Sequence, residues 1–548
     1  MGAYLNPGKN AFEEALNSEI FVDKTEMIAY LNCVVRTEQK YVCVSRPRRF
    51  GKSMAVKMLC AYYGKGADSR TMFEKCKVSR KAADWDKYLC KFDVIRVVMT
   101  DFFKKGVSFD QAFNRLQALV VRDLTKAFPE IDFFDKMDLL QSIQDVYEEK
   151  HIQFIIVIDE WDAIFREYKE DKEGQKKYLD FLRDWLKDKE YVALAYMTGI
   201  LPVKKYGKHS ALNMFDEYSM TFPMQFAKYA GFTEKEVTDL CDKYGRDFEL
   251  IRSWYDGYKV SDIVPPDPGH ERQLATGKPI EAAKYSLYSP LSVVKAMRSG
   301  IVNNYWNETE TYEALKQYID WNFDGLKEGV AILMAGGKVA ADITGYQNDM
   351  TTFHSKDDIL TMLIHLGYLG YDSSTKNVFI PNQEVLQVFR SSTGGRDWKV
   401  TFQAIENSRR LLEATWACDK ETVADLLEAA HDKAGNKTYH SEAGLSYAVQ
   451  LAYYAAQDLY TIIPELDTGK GYADLAFIPK DPDVPALLIE LKYEEDTETA
   501  ISQIHRQKYP DRLQLYKGNL ILVGINYTRT ISSKDIAFKH HSCRIERA

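Results

Sequence analysis

The amino-acid sequence predicts an α/β chain in three parts: an N-terminal α/β region with a mostly parallel sheet (residues 1–225), a mostly helical middle (226–395) and a C-terminal α/β region (396–548). Three observations carry this reading. In the first region short β-branched runs alternate with longer amphipathic stretches, the strand and helix order from which parallel sheets are built. The middle is broken by a Pro/Gly-rich segment, Val264–Pro279, whose prolines cannot donate to a ladder. The last region opens on helical pattern and turns strand-rich after Gly471.

Taken in order, strands are expected at Tyr41–Ser45 (YVCVS), Val94–Thr100 (VIRVVMT), Phe154–Asp159 (FIIVID) and Val192–Thr198 (VALAYMT), with helices at Ser53–Tyr63 and Gln175–Leu186. In the middle, Ile359–Pro381 reads as a helix followed by two short strands around Asp372–Asn377, a winged-helix-like or lid pattern, and Ser391–Gly395 (SSTGG) as a flexible boundary. Beyond it come a helix at Ser441–Gln457, paired strands at Gly471–Pro479 and Pro485–Tyr493, a helix at Glu498–Tyr509 and a strand at Asn519–Ile525.

Composition narrows the class. With 548 residues, 45% apolar and 28% charged, the chain is long and apolar enough for several folded cores. Its eight cysteines are scattered with no CxxC pair, which argues against a disulfide framework and a structural zinc site. No apolar run approaches the roughly 18–20 residues of a membrane helix, and the N-terminus lacks the pattern of a secretory signal, so a cytoplasmic protein without a membrane partner is expected. A formal charge of −8 excludes a chain coated in positive charge, while leaving room for nucleic acid in a local basic cleft.

Two constellations carry chemistry. The first is Arg46, Pro47, Arg48, Arg49, Phe50, Gly51, Lys52 and Ser53 (RPRRFGKS), placed between a short buried strand and an amphipathic helix. This is the strand, loop, helix context of a P-loop. Backbone N–H groups at the helix start face the phosphates, Gly51 lets the chain pass close, Lys52 brings charge to the β/γ oxygens, and the Ser53 hydroxyl reaches Mg²⁺. The first glycine of the usual pattern is Arg46 here. Downstream, the apolar run Phe154–Ile158 ends in Asp159 and Glu160, where Asp159 would hold the metal and Glu160 polarise a water. Thr198, at the end of another run, fits a γ-phosphate sensor and an ordinary strand terminus equally well. For Asp101 the structural reading is slightly favoured. Arg46, Arg48 and Arg49 fit phosphate or nucleic-acid contact, and nearly as well a solvated basic loop.

The second constellation is Asp474, followed after a turn by Glu490 and Lys492 in LLIELK. Strand alternation puts Glu490 and Lys492 on one face, with Ile489 and Leu491 on the other, and pairing of the two strands brings Asp474 alongside. Two carboxylates and an ammonium suit Mg²⁺ or Mn²⁺ and phosphodiester chemistry, with Lys492 orienting a water or stabilising charge at phosphorus. A surface strand with a plain Glu/Lys pattern explains these residues about as well. Glu442, on the helix before the strands, would complete a metal shell, and Gln503 with Tyr509 would position ligands or DNA; each alone also reads as a solvated helix residue.

Together these strings resemble bacterial AAA-ATPase-like proteins that carry a C-terminal PD-(D/E)XK nuclease domain, and the resemblance covers nearly the whole chain. It rests on RPRRFGKS, in which the leading arginine is typical of that family, and on Phe21–Thr25 (FVDKT), Asp159–Asp162 (DEWD), Thr198–Ile200 (TGI), Trp254–Tyr258 (WYDGY) and Tyr288–Ser292 (YSPLS). The resemblance implies an AAA-like P-loop domain that binds ATP and Mg²⁺ through Lys52, Ser53 and Asp159, with Glu160 at the hydrolytic position. It implies a restriction-endonuclease-like C-terminal core in which Asp474, Glu490 and Lys492 are the metal and catalytic residues and Glu442 and Gln503 accompany them. Ala473 stands where many relatives have proline. The expected function is an ATP-hydrolysing protein coupled to a Mg²⁺- or Mn²⁺-dependent nuclease acting on DNA, in mobile-element defence or nucleic-acid processing, with assembly into a homo-oligomer in keeping with AAA-like relatives. The alternative is an ATP-switched binding or signalling protein whose nuclease-like domain does not cleave.

Overall fold

The computed structural model describes residues 2–203, 212–262, 283–306, 319, 323–334, 336–347, 350–351, 353–434 apart from 393–395, 445–446, 449–450, 452–453, 455–456, 459–467, 472–481, 483–506, 516, 518–528 and 539–548. They form two compact units, Met1–Lys327 with Ala340–Ser392, and Glu328–Val339 with Thr393–Ala548.

The first unit is built on a parallel sheet of β1 (Tyr41–Ser45), β2 (Asp93–Val98), β3 (Phe154–Asp159), β4 (Val192–Gly199) and β5 (Asp216–Tyr218), in the order β2-β3-β4-β1-β5. Every residue of β1, β3 and β4 is buried, as continuous apolar runs in a sheet covered on both faces require. Four of the five strands are the expected ones. β2 stops at Val98 because Met99–Asp101 winds into a 3₁₀ turn, so Asp101 sits in that turn and not at a strand end. β5 escaped notice because three residues beginning Asp-Glu carry no apolar run. The helix Lys172–Leu186 starts before Gln175 because the Asp171 carboxylate caps the Gly174 N–H at 2.8 Å.

The middle stretch is largely helical, with Glu234–Tyr244, Phe248–Tyr255, Pro290–Ser299, Lys356–Leu366 and Gln383–Ser392. It also holds a small antiparallel sheet not expected from the sequence, β6 (Phe232–Thr233), β7 (Tyr258–Asp262) and β8 (Ala283–Tyr288), in the order β6-β8-β7. After β9 (Val339–Ala340), the helix Lys356–Leu366 runs into a hairpin of β10 (Gly370–Asp372) and β11 (Asn377–Phe379), the helix-and-two-strands pattern read from Ile359–Pro381. Gly257, at φ +126°, turns the WYDGY string so tightly that an added Cβ would overlap the Pro381 carbonyl oxygen. The Val264–Pro279 loop lies outside the described residues, as do residues 393–395 of the SSTGG boundary.

The second unit is a mixed sheet of β12 (Tyr460–Asp467), β13 (Tyr472–Pro479), β14 (Ala486–Tyr493), β15 (Leu520–Tyr527) and β16 (His541–Arg547), in that order, parallel only between β14 and β15. One face packs Leu475, Leu487, Ile489 and Leu491 against Leu411, Val423 and Leu427 of the helices Arg396–Trp416 and Lys420–Ala434. The other packs Ala476, Leu488 and Leu522 against Ile501 and Ile504 of the helix Thr497–Arg506. β12 and β16 were not expected, because β12 contains Pro464 and β16 is mostly polar. Both are edge strands, where proline and charge are tolerated. Most of the expected helix Ser441–Gln457 lies outside the described residues.

Glu428 ties the last strand to the helical face. Its carboxylate lies 2.7 Å from His540 Nδ1 and 2.8 Å from His541 Nδ1, and accepts both backbone N–H groups at 3.0 and 3.1 Å. Burial alone would raise this carboxyl, but the hydrogen bonds from His541 and His540 outweigh it and hold it down at about 2. A depressed carboxyl stabilises the fold above its ordinary value of 4.5 and loses that contribution as pH falls toward 2. Glu428→Gln is therefore expected to destabilise the second unit by about 2 kcal/mol at pH 7, and the gap to the parent, followed by calorimetry, should close below pH 4.

Candidate functional site

β1 leads into the RPRRFGKS loop, and the helix Lys52–Tyr63 leaves it. Gly51 caps that helix at φ +87°; an added Cβ would meet nothing within 4 Å, so glycine serves the left-handed backbone and not close packing. Arg49 is left-handed too, at φ +70°. The Lys52 ammonium donates to the carbonyls of Arg46 (2.9 Å) and Pro47 (2.8 Å), bridging the loop. Burial pushes it down to about 8, opposed by Asp162, Asp159 and Glu160. The neighbouring Ser53 hydroxyl hydrogen-bonds the Asp159 carboxylate.

Three arginines of the loop have three different fates. Arg48 borders the cavity described below. Arg49 borders it as well and donates to the Tyr305 carbonyl at 2.8 Å. Arg46, read from the sequence as a phosphate or nucleic-acid contact or, nearly as well, part of a solvated basic loop, fits neither: it is fully buried, and its guanidinium donates to the carbonyls of Ser45 (2.8 Å), Tyr218 (2.6 Å) and Phe226 (3.2 Å). Burial lowers even this guanidinium to about 10.

β3 ends on Asp159, 2% exposed, whose carboxyl is raised by burial against the pull of Ser53 and Lys52. Glu160 follows in the left-handed region at φ +52°, a conformation that costs a non-glycine residue about 1 kcal/mol. Two contacts hold it: its N–H reaches Asp159 Oδ1 at 3.0 Å, and its carboxylate pairs with Arg166 at 2.6 Å. Asp162, fully buried, accepts the N–H groups of Ile200 and Leu201 at 3.1 and 3.0 Å, fixing the chain after β4. Gly199 leaves room for this, since a Cβ there would lie 2.7 Å from Asp162 Oδ1. Of the two readings open for Thr198, its surroundings favour the ordinary strand terminus: it is fully buried and donates its hydroxyl to the Val44 carbonyl at 2.8 Å, joining β4 to β1. Arg166 was not singled out from the sequence; its only signal was its place four residues after Asp162.

The strand order sets the ends of β1 and β3 on either side of β4, and residues that follow β1, β2 and β3 border a cavity of about 770 Å³. Arg48, Lys52, Ser53, Glu160 and Arg166 form its polar wall, and Phe12, Phe21, Met27, Met58, Leu291 and Val294 its apolar one. The volume falls within the roughly 300–1,000 Å³ of small-molecule sites.

In the second unit the expected residues come together. The antiparallel register pairs Leu475 with Ile489, so one step further sets Asp474 across from Glu490. Asp474 accepts the Leu491 N–H at 2.7 Å, and Lys492 Nζ lies 3.1 Å from Glu490 Oε1. Glu490 is 1% exposed, and its Oε2 is buried without a hydrogen-bond partner. Burial first, and then Asp474, push its carboxyl up to about 7 against the pull of Lys492. An orphaned buried oxygen beside a second carboxylate fits a hard cation. Among the described residues no group of three or more acidic, histidine or cysteine side chains is placed to hold a metal ion, so Asp474 and Glu490 are the pair on offer. Gln503 lies on the helix Thr497–Arg506, while Glu442 and Tyr509 lie outside the described residues. Two neighbours were missed. Gly524, beside Glu490 in the parallel register, lets that helix close over the sheet, since a Cβ there would lie 3.0 Å from Ala500 Cβ. Asn526, beside Lys492, accepts the Glu495 N–H at 3.1 Å.

The first site is thus a loop-and-helix cavity with a charged wall, and the second a pair of carboxylates beside a lysine. Residues 8–208 match the family described as predicted AAA-ATPase, and residues 445–534 match the PD-(D/E)XK nuclease superfamily. The chain carries an AAA-ATPase-like domain and, C-terminal to it, a PD-(D/E)XK nuclease superfamily domain. Among solved structures it is similar to a Walker-type ATPase of Pyrococcus abyssi, at 12% identity, covering 67% of this chain and 96% of that one, with a TM-score of 0.33. It is similar to the ORC2 protein of Aeropyrum pernix in its ADPNP-ADP complexes, at 16% identity over 68% and 96% of the two chains with a TM-score of 0.30. The ORC1 protein of Aeropyrum pernix in complex with DNA follows at 12% identity over 71% and 98%, TM-score 0.26. With TM-scores this low, these likenesses carry no weight for function. A comparison with curated proteins gives no match.

Arg46→Gly, which restores the usual first glycine, is expected to destabilise the first unit by about 3 kcal/mol, because the carbonyls of Tyr218 and Phe226 lose a buried donor. Chemical denaturation checks this, and a variant as stable as its parent would show that the guanidinium seat is dispensable.

Proposed function

We propose that the chain binds and hydrolyses ATP in its first unit and cleaves DNA at a metal-dependent phosphodiesterase site in its second, with the nucleotide state governing cleavage. The observation that carries the nuclease half is the buried, unpartnered Oε2 of Glu490 set beside Asp474 and Lys492. A nuclease-like fold that had lost its chemistry would have no reason to keep a carboxylate in so costly a place.

In the first unit the phosphates would lie over the start of the helix Lys52–Tyr63, to be met by backbone N–H groups and the Lys52 ammonium. Asp159 and Ser53 would hold Mg²⁺, which neutralises charge on the β/γ oxygens. Glu160 lines the cavity and orients the attacking water once its carboxylate is turned from Arg166, and Arg166 is itself placed to meet phosphate charge. The apolar wall takes the base.

In the second unit Asp474 and Glu490 would hold Mg²⁺ or Mn²⁺, which supplies Lewis-acid polarisation of the phosphodiester and a bound water of lowered pKa. Lys492, kept beside Glu490, donates to the water or to the oxygens around phosphorus as negative charge grows there. The Leu491 N–H keeps the Asp474 carboxylate turned toward β14.

Purified protein is expected to hydrolyse ATP with Mg²⁺, and Lys52→Ala to abolish it; unchanged turnover would remove the loop assignment. Incubation with linear, circular and single-stranded DNA and with RNA, with either metal and with or without ATP, is expected to show DNA cleavage that Asp474→Ala or Lys492→Ala lowers by at least about 100-fold. Cleavage that survives both substitutions places the chemistry elsewhere.

The raised Glu490 carboxyl has a second consequence. Its folded value near 7, against an ordinary 4.5, means that the native state keeps a proton the unfolded chain has lost, so stability falls as pH rises from 4.5 to 7. Without metal, Glu490→Gln should raise the melting temperature at pH 8 and leave it unchanged at pH 4.5; with Mg²⁺ or Mn²⁺ present, the same variant should lose cleavage. A variant less stable than its parent at pH 8 would contradict the burial penalty.

A further inference from the structure

The side chains that fill the phosphate-binding loop are seated on the middle stretch of the same unit. The Phe50 ring meets Tyr258 edge-on at 5.2 Å, and the Phe50 carbonyl accepts the Gly231 N–H at 3.1 Å. Tyr258, the last residue of the WYDGY string, donates its hydroxyl to the Gly367 carbonyl at 2.6 Å. Gly367 in turn is wedged between Pro47 and Trp306, since a Cβ there would lie 2.8 Å from the proline and 2.9 Å from the indole. Arg49 donates to the Tyr305 carbonyl.

Behind Arg49 and Tyr305 lies a buried carboxylate that neither reaction uses. Glu384, fully buried at the start of the helix Gln383–Ser392, accepts the Tyr305 N–H at 2.7 Å and the Ser292 hydroxyl at 2.8 and 3.0 Å, while its backbone carbonyl accepts Asn304 Nδ2 at 2.9 Å. Ser292 closes the YSPLS string, whose Pro290 and Leu291 line the nucleotide cavity. Burial pushes the Glu384 carboxyl up to about 7, and Ser292, the N–H groups of Tyr305 and Trp306 and the charge of Arg49 oppose it. A buried carboxylate is costly to keep, and a surface that only had to pack would fill this place with an apolar side chain.

We propose that Glu384 is a positioning residue for nucleotide binding: by holding residues 304–306 it sets the carbonyl on which Arg49 rests, and through Arg49 the left-handed turn that presents the loop to the phosphates. This rests on the ATP reading of the cavity. Removing the carboxylate leaves the Tyr305 N–H without its acceptor and frees the segment that seats Arg49, so the loop must be ordered at the expense of binding. Glu160 and Asp159 stand on β3 and the residue after it, outside this network, so the chemical step at saturating ATP is kept.

The test uses the full chain and compares parent, Lys52→Ala, Glu384→Ala, Glu384→Gln and Ser292→Ala by titration with a fluorescent ATP analogue and by steady-state ATP hydrolysis. Glu384→Ala is expected to raise the KM for ATP roughly tenfold with kcat held within about twofold, Ser292→Ala to act in the same direction more weakly, and Glu384→Gln, which keeps an acceptor for Tyr305, to recover most of the affinity. A merely structural role gives a different result, lost kcat from a smaller folded fraction with KM unmoved, and that outcome overturns the proposal. Where Glu384→Ala does not fold, Ser292→Ala decides: an unchanged KM overturns the proposal just as well. Failure of the parent itself to bind the analogue removes the ATP reading, and this proposal with it; binding by the parent and its loss in Lys52→Ala separate the two cases.

Discussion

The guanidinium of Arg46 is the contact on which the first unit's nucleotide site depends. It is fully buried with no carboxylate donated to by any of its hydrogen bonds, resting instead on the carbonyls of Ser45, Tyr218 and Phe226. A buried charge without good hydrogen bonds costs several kcal/mol, so this arrangement persists only because those carbonyls point inward together. They come from the end of β1, the end of β5 and the 3₁₀ turn Met224–Phe226, and the arginine therefore fixes the short edge strand β5 against the strand that feeds the loop. A glycine there, as in the common pattern, would bring flexibility and no donor. With Arg46 seated, its own carbonyl and that of Pro47 face the Lys52 ammonium, and the loop keeps its curvature.

The same electrostatic logic governs both sites. Asp159 and Glu490 are each almost fully buried on an interior strand of its sheet, and each has its carboxyl raised mainly by loss of water. A lysine opposes the rise in both: Lys52 for Asp159 and Lys492 for Glu490. Such carboxylates are poorly satisfied alone and well satisfied by a cation, which couples occupancy of the site to protonation of the acid. The difference lies in their neighbours. Asp159 has the Ser53 hydroxyl beside it, whereas Glu490 keeps one oxygen with no hydrogen-bond partner.

Much of this was legible in the sequence, and the limits were physical. Strands covered on both faces announced themselves as continuous apolar runs, so β1, β3 and β4 were found within a residue of their ends. Alternation in LLIELK separated Glu490 and Lys492 from the core residues Ile489 and Leu491, and the antiparallel partner strand then brought Asp474 across. Edge strands without an apolar run were not legible, whereas β2, an edge strand with the run VIRVV, was. Asp216–Tyr218 and His541–Arg547 are paired on one side only, and their sequences carry charge where a central strand would carry branched apolar residues. Residue type also misled where backbone groups were the partners. The donor side chains of Arg46 and Thr198 left a phosphate contact open beside a solvated loop for the one and a strand terminus for the other, yet both donate to main-chain carbonyls, and a carbonyl leaves no trace in a sequence.

That point extends to the strings WYDGY and YSPLS, which carried no readable chemistry. Their content is geometric. Gly257 accepts a backbone angle other residues resist, Pro290 opens a helix at its first turn, and Tyr258 and Ser292 send hydroxyls to Gly367 and Glu384. None of these residues would be chosen as a ligand, because none contributes a group to phosphate or metal. Their partners lie tens of residues away in the chain, so neither local periodicity nor spacing could join them. What unites them is the shape of a loop whose own glycine content is low: a P-loop built as RPRRF is held by its surroundings, and the residues that hold it must be as particular as those that bind.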